Sequence, residues 1–144
     1  MTRTGVRAPF ALRCGALLID YILLITLVVL GTLFARMLGG GARAAGTSAE
    51  TAAVVLAIVV ALLNFAVLPG LTGFTLGKWA AGLRIQRVGG GEPGMLRAML
   101  RHFIGYPLSL VTLGLGFLLA AVTVQGRGLH DMIAGTVVVR EGSF

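Results

Sequence analysis

Acidic residues are scarce in this chain: five among 144, against twelve lysines and arginines. Cysteine occurs once, as Cys14, which excludes an intramolecular disulfide and a thiolate metal site and suits small packing at the foot of a first helix. Histidine occurs twice, as His102 and His130, without the spacing of a metal-ligating pair, so no metal centre is expected. No credible nucleophile–base set stands out either, so the chain is read as a non-enzyme with no cofactor. Charge as a whole is thin, at 12% of residues where an ordinary soluble domain has about a quarter.

What fills the space is apolar: 57% of residues are hydrophobic and the mean hydropathy is +0.96. The apolar residues fall in blocks. Ala16–Phe34 carries only Asp20 as an ionisable group; Ala52–Leu68 carries none, with Asn64 its one strongly polar side chain; Phe103–Val124 is 22 residues without a charge. A helix needs about 20 apolar residues to cross about 30 Å of hydrocarbon, so the first and third blocks suffice and the second does with its flanks. The fold class predicted is an all-α integral membrane protein. It has two to three transmembrane helices and a short amphipathic, β-like interfacial segment.

The formal charge of +7 does not point to nucleic acid. The basic residues gather at the ends of apolar runs: Arg3, Arg7 and Arg13, then Lys78, Arg84, Arg87, Arg97 and Arg101. Positive-inside topology and anionic headgroups account for that distribution. A cleaved signal peptide is a poor reading of the amino end, because the apolar stretch is too long, contains Asp20 and has no small-x-small site after it.

The first helix is expected over about 9–37, with Pro9 at its first position, where a missing N–H costs nothing. A loop rich in small residues, Gly39–Ser48, follows. The second helix is expected over about 50–69, capped by Ser48 and ended by Pro69-Gly70. Residues 71–102 form the interfacial segment. Lys78 and Trp79 stand at a water–lipid boundary, Leu83-Arg-Ile-Gln86 alternates like a strand, and Arg97 and Arg101 share one face of an amphipathic helix. The third membrane segment, 103–124, reads either as one crossing or as two pieces broken at Gly105-Tyr-Pro107 or Gly114-Leu-Gly116. A closing segment, 127–140, ends in Val137-Val-Val139, which favours extended backbone.

Asp20 is the residue that most needs explaining. A carboxylate inside hydrocarbon costs up to about 2.5–3.5 kcal/mol on insertion scales, so it has a partner or a purpose. Arg13 lies two turns earlier on the same face, about 10.5 Å away along the axis and too far for a direct salt bridge. Function and simple locking of the packing are both open readings. Asn64 reads as a hydrogen bond between helices, and His130 as part of an interfacial polar turn. Gly73-Phe-Thr-Leu-Gly-Lys78 fails as a phosphate loop, because Thr72 stands where a glycine is required and Trp79 where Ser or Thr should ligate magnesium.

Three stretches in order resemble the RDD family of small bacterial membrane proteins, named for one arginine and two aspartates. Ala11-Leu-Arg13 through Leu18-Ile-Asp20 is similar to the family's first helix. Thr75-Leu-Gly-Lys-Trp-Ala-Ala-Gly-Leu-Arg-Ile85 is similar to its central signature, and Leu129-His-Asp131 with Ala134-Gly-Thr-Val-Val-Val139 to its closing one. The resemblance covers about 6–140 and implies that Arg13, Asp20 and Asp131 are the named trio. It also implies a multi-pass protein of the bacterial inner membrane, with transport, including cation/proton exchange, suggested for some members.

The expected function is therefore a transporter or transporter subunit for a small ligand, such as a cation coupled to protons. The alternative is a membrane scaffold that binds anionic lipid or a partner protein. Arg13 and Asp131 are expected to meet near the cytoplasmic face, with Asp20 deeper on the same path. Counted as one cation and two carboxylates, the trio is net negative and suits a proton or small cation. Two or three membrane segments enclose no pathway alone, so besides the bilayer a homo-oligomer or a partner membrane protein is expected. If Leu83–Ile85 pairs with Val137–Val139, the tail lies on the same side as that segment and 103–124 must dip in and return.

Overall fold

Two long apolar helices set the architecture of the computed structural model, which describes residues 6–39 and 48–141. Most of the small-residue loop after the first helix, at 40–47, and Arg3 lie outside the described residues. Helix α1, Phe10–Gly39, has 30 residues and is therefore about 45 Å long. It begins when Arg13 N donates to the Pro9 carbonyl at 3.2 Å. Only 6% of its apolar window is buried, so nearly its whole surface faces whatever lies outside the chain.

The second rod runs from α2, Ser48–Leu62, through a π-helical turn, Leu63–Val67, into α3, Leu68–Thr72. Pro69-Gly70 does not end it, contrary to the expectation. The wider π turn lies just upstream of the proline, with Leu68 N reaching back to the Leu63 carbonyl, and it absorbs the missing N–H and the ring's bulk. The helix stops instead at Gly73, whose φ of 78° closes it and whose Cβ, if present, would lie 2.5 Å from the Ile85 carbonyl oxygen. Phe10–Leu38 and Ser48–Thr72 are both long and apolar enough to cross a membrane.

A short helix, α4 (Leu76–Ala80), is capped by the Thr75 side chain, which accepts from Lys78 N at 3.2 Å. Strand β2, Leu83–Arg87, follows and buries Leu83 and Ile85 while Arg84 and Gln86 are half-exposed, the period-2 alternation read from sequence. It pairs antiparallel with β3, Thr136–Arg140, in the register Ile85↔Val138. Strand β1, Val6–Arg7, which nothing in the sequence announced, pairs with the other edge of β3. The sheet packs Leu83, Ile85 and Val138 against Ala8 and Ala16 at the foot of α1. The amino end, β2 and the tail are thereby tied together at one end of the helices.

The third segment begins earlier than expected, at α5, Met95–Met99. A second π turn, Leu100–Gly105, leads into α6, Tyr106–Val111. Again a proline, Pro107, sits two residues after a π turn, so Gly105-Tyr-Pro107 continues the helix rather than breaking it. The break comes at Leu113 (φ 54°) and Gly114 (φ 80°), and α7, Leu115–Val122, leaves at 100°. Gly116 makes the return close: a Cβ there would lie 2.6 Å from Ser109 Oγ. Helix α7, with 8 residues, is far too short to cross hydrocarbon by itself. Helix α8, Leu129–Ala134, then feeds β3.

Candidate functional site

Two buried carboxylates organise the polar interior. Asp20, ten residues into α1, is 1% exposed. Its Oδ1 accepts from Asn64 Nδ2 at 3.0 Å and from Gly77 N at 2.8 Å, and its Oδ2 from Thr75 Oγ1 at 2.5 Å. Asn64 is delivered by the first π turn, and its own Oδ1 accepts from Leu76 N at 2.9 Å. Gly77 permits the approach, because a Cβ there would collide with the Ala16 carbonyl and lie 2.9 Å from Asp20 Cγ. All four donors and supports are neutral, and they pin α1, the second rod and α4 to one another.

Asp131, on α8, is 0% exposed and is met by charge instead. Arg13 donates to Oδ2 and Arg101 to Oδ1, while Gly128 N donates to Oδ2 at 3.1 Å from the start of the same helix. Arg13 also donates to the Gly126 carbonyl and Arg101 to Thr136 Oγ1 at 3.1 Å. Burial works to raise the Asp131 carboxyl, but the guanidiniums of Arg101 and Arg13 outweigh it and hold the group below the usual carboxylate range. His130 Nε2 lies 3.6 Å from Asp131 Oδ2, yet burial, with Arg101 adding to it, pushes the imidazole down to about 3, so the ring is neutral and the contact is no ion pair. His130 is 4% exposed, a core residue rather than part of an interfacial turn.

The expected trio is thus split. Arg13 and Asp131 meet across 118 positions of sequence, whereas Asp20 stands apart in a cage of its own. Of the residues expected at the interface, Trp79 is 71% exposed and Arg97 is exposed, donating to the carbonyls of Ala134 and Gly135 at 3.3 Å. Arg84 is half-buried between Glu92 and Glu141. Lys78 and Arg101 are not interfacial: they are 2% and 1% exposed. Arg97 and Arg101 do share a side of the helix, both reaching the junction of α8 and β3, Arg97 at its exposed rim and Arg101 in its buried interior. Cys14 is exposed rather than packed.

These two corrections change the charge of the centre. Counting neither histidine, the buried group holds Arg13, Lys78 and Arg101 against Asp20 and Asp131, so cations outnumber carboxylates. The net negative trio expected from sequence does not exist. Burial, with Arg101 adding to it, pulls the Lys78 ammonium below its usual range against the pull of the two carboxylates. An aromatic ladder flanks the centre: Phe65–His102 at 5.0 Å, His102–Tyr106 at 4.8 Å and Tyr106–His130 at 4.6 Å between ring centroids. Sequence reasoning missed Lys78, Thr75, Arg101 and Tyr106 as members of the centre. The available signal was Arg101-His102 standing directly before an apolar run with no acid nearby.

The model of the RDD family matches residues 7–135. The chain is similar to an uncharacterised protein of Bacillus subtilis (strain 168), YckC, being 31% identical to it over 135 residues, which are 91% of this chain and 83% of the relative. No solved structure matches it. The family match spans both knots and all three of Arg13, Asp20 and Asp131, and with two helices of spanning length the chain is a membrane protein that belongs to the RDD family.

Proposed function

We propose that this protein is a transporter, or a subunit of one, for a small charged ligand, and that it is not an enzyme. One observation carries the reading: Arg13, Asp20, Lys78, Arg101 and Asp131 are buried together, none more than 8% exposed, in a protein whose two long helices are otherwise nearly charge-free. Ionisable groups at membrane depth line substrate or proton pathways, and a segment that enters and bends back beside them is irregular backbone of the kind found where a cavity must be lined. The exposed apolar faces of α1 and α2 fit contact with lipid and with a second copy or a partner membrane protein. The protein would be a multi-pass protein of the bacterial inner membrane. The positive-inside bias puts the sheet, with Arg84, Arg87 and Arg140, in the cytoplasm.

The scaffold reading, which rests on the basic segment from Lys78 to Arg101, loses two of its cations because Lys78 and Arg101 face inward, and keeps the exposed Arg87 and Arg97. Purified protein in proteoliposomes under imposed pH, sodium and chloride gradients tests transport. Flux of one ion above empty vesicles supports it; absence of flux for every ion, with a stable partner recovered by crosslinking, replaces it with the scaffold. Topology is read separately from a cysteine placed at Glu141 in a Cys14→Ser background. Labelling only from the outside of cells would overturn the cytoplasmic sheet.

A further inference from the structure

Beside the Asp131 knot lies a cavity of about 30 Å³ bordered by Arg13, Lys78, Arg101, Tyr106, Phe117 and His130. Among the described residues, three buried polar atoms of those side chains have no hydrogen-bond partner: Lys78 Nζ, Arg101 Nε and His130 Nδ1. Two belong to cations that are 2% and 1% exposed. Every oxygen of Asp131 is already taken by Arg13, Arg101 and Gly128, and both oxygens of Asp20 by Asn64, Thr75 and Gly77. Every carboxylate oxygen is thus already engaged, while Lys78 and Arg101 each keep a donor without a partner.

We propose that this cavity is a binding site for one small monovalent anion of about the size of a halide, held by the Lys78 ammonium and the Arg101 Nε–H. Three physical arguments meet here. An unpaired buried charge is strongly unfavourable, and the surplus is one cation, so one negative charge neutralises it. The space holds one or two water-sized bodies, which suits a halide better than a phosphate headgroup. A water could occupy it and accept from Lys78, but it would leave the surplus charge in place.

Lys78 has one other way to shed its cost, which is to lose its proton. The groups facing it are Asp20 and Arg13 of α1, Arg101, His102 and Tyr106 of the third segment, and His130 and Asp131 of α8. Burial already favours the neutral amine, and a bound anion favours the charged one, so anion and proton enter the site together. Binding therefore tightens as pH falls. That the anion is also cargo rests on the transporter reading above; its residence in the site does not.

The test is chloride binding to the full chain in detergent micelles, followed by chloride-35 line broadening. Chloride is titrated against gluconate at constant ionic strength, with sodium and choline as alternative counterions. The expected result is one saturable site per chain, indifferent to the counterion, tightening about tenfold or more from about pH 9 to about pH 6 and weakened about tenfold or more by Lys78→Gln. Bromide should compete and phosphatidylglycerol should not. Absence of saturable binding to the wild-type chain overturns the proposal whatever the variant does. So does binding unchanged in a folded Lys78→Gln, or binding that requires sodium. Chloride bound without chloride flux in vesicles upholds the site and removes only the reading of the anion as cargo, and flux without saturable chloride binding removes the site alone.

Discussion

Asp20 and Asp131 are the same residue type, equally buried, and they are kept in the interior by opposite means. Asp20 is held by an amide, a hydroxyl and a backbone N–H; Asp131 is held by two guanidiniums and a backbone N–H, with the Thr136 hydroxyl at 3.4 Å beside them. The first arrangement fixes geometry, because each neutral donor has one direction and the three come from three elements. The second fixes charge, because each arginine is as costly to bury alone as the carboxylate is. Removing charge should therefore be severe at Asp131 and mild at Asp20.

The largest effect is expected at Asp131. Asp131→Asn leaves Arg13 and Arg101 buried without their counter-ion and should cost about 3–5 kcal/mol. Unfolding in mixed micelles measures it, and adding Arg101→Gln should recover part of the loss by removing one orphaned cation. A double variant no better than the single would mean that the arginines are compensated elsewhere.

Next comes the close approach that the neutral cage requires. Gly77→Ala would push a methyl group onto the Ala16 carbonyl and the Asp20 carboxyl, forcing α4 away from α1. Overpacking of this kind costs about 1–3 kcal/mol, and loss of the Gly77 N–H bond to Asp20 comes on top. The same unfolding measurement tests it; a change below about 0.5 kcal/mol would show that the two helices have slack.

The charged knot should also carry a pH signature that the neutral cage lacks. The His130 imidazole is lowered to about 3 in the fold from 6.5 in the unfolded chain. The unfolded chain thus binds more protons between those values, and stability falls as pH drops through that window, by about 2 kcal/mol at about pH 5. Asp131, whose carboxyl is also held below its ordinary range, contributes in the same sense, but its loss begins only as pH falls through the ordinary carboxylate range, so the two are separable by pH. His130→Phe should reduce the slope between about pH 6.5 and 4, and an unchanged slope in that variant would place the proton elsewhere.

How much of this was legible in the sequence follows from what kind of signal each part carries. The two long helices are runs of apolar residues, and β2 and β3 are an alternation and a valine triplet, so local pattern suffices for both. β1 is two residues long and has no pattern to read. Pro69 and Pro107 were misleading in themselves: a proline reads as a stop, and only the backbone shows a π turn placed upstream to carry the helix through. The Arg13–Asp131 meeting came from resemblance, because 118 intervening residues leave no local trace of it. Lys78 and Arg101 were misplaced for a physical reason. A basic residue at the end of an apolar run reads as snorkelling, and whether it turns inward depends on a carboxylate or cavity supplied by other segments.

The smallest effect is expected at Asp20→Asn, and it is the sharpest check on the comparison. The new amide oxygen can keep both the Asn64 and the Gly77 donors, which already share one carboxylate oxygen. The new NH₂ group faces Thr75 Oγ1, whose hydroxyl can turn from donor to acceptor while still receiving Lys78 N. Shape and hydrogen-bond count survive, so the cost should be about 1 kcal/mol, the difference between a charged and a neutral acceptor. Asp20→Ala deletes the acceptor altogether, orphans the Gly77 N–H and one Asn64 N–H, and should cost about 2–4 kcal/mol. The ratio of the two losses is the measurement that matters. If Asp20→Asn costs as much as Asp20→Ala, the charge of Asp20 and not its geometry is what the fold uses. The two carboxylates would then be alike, with Asp20 answering the Lys78 ammonium in the way that Asp131 answers its arginines.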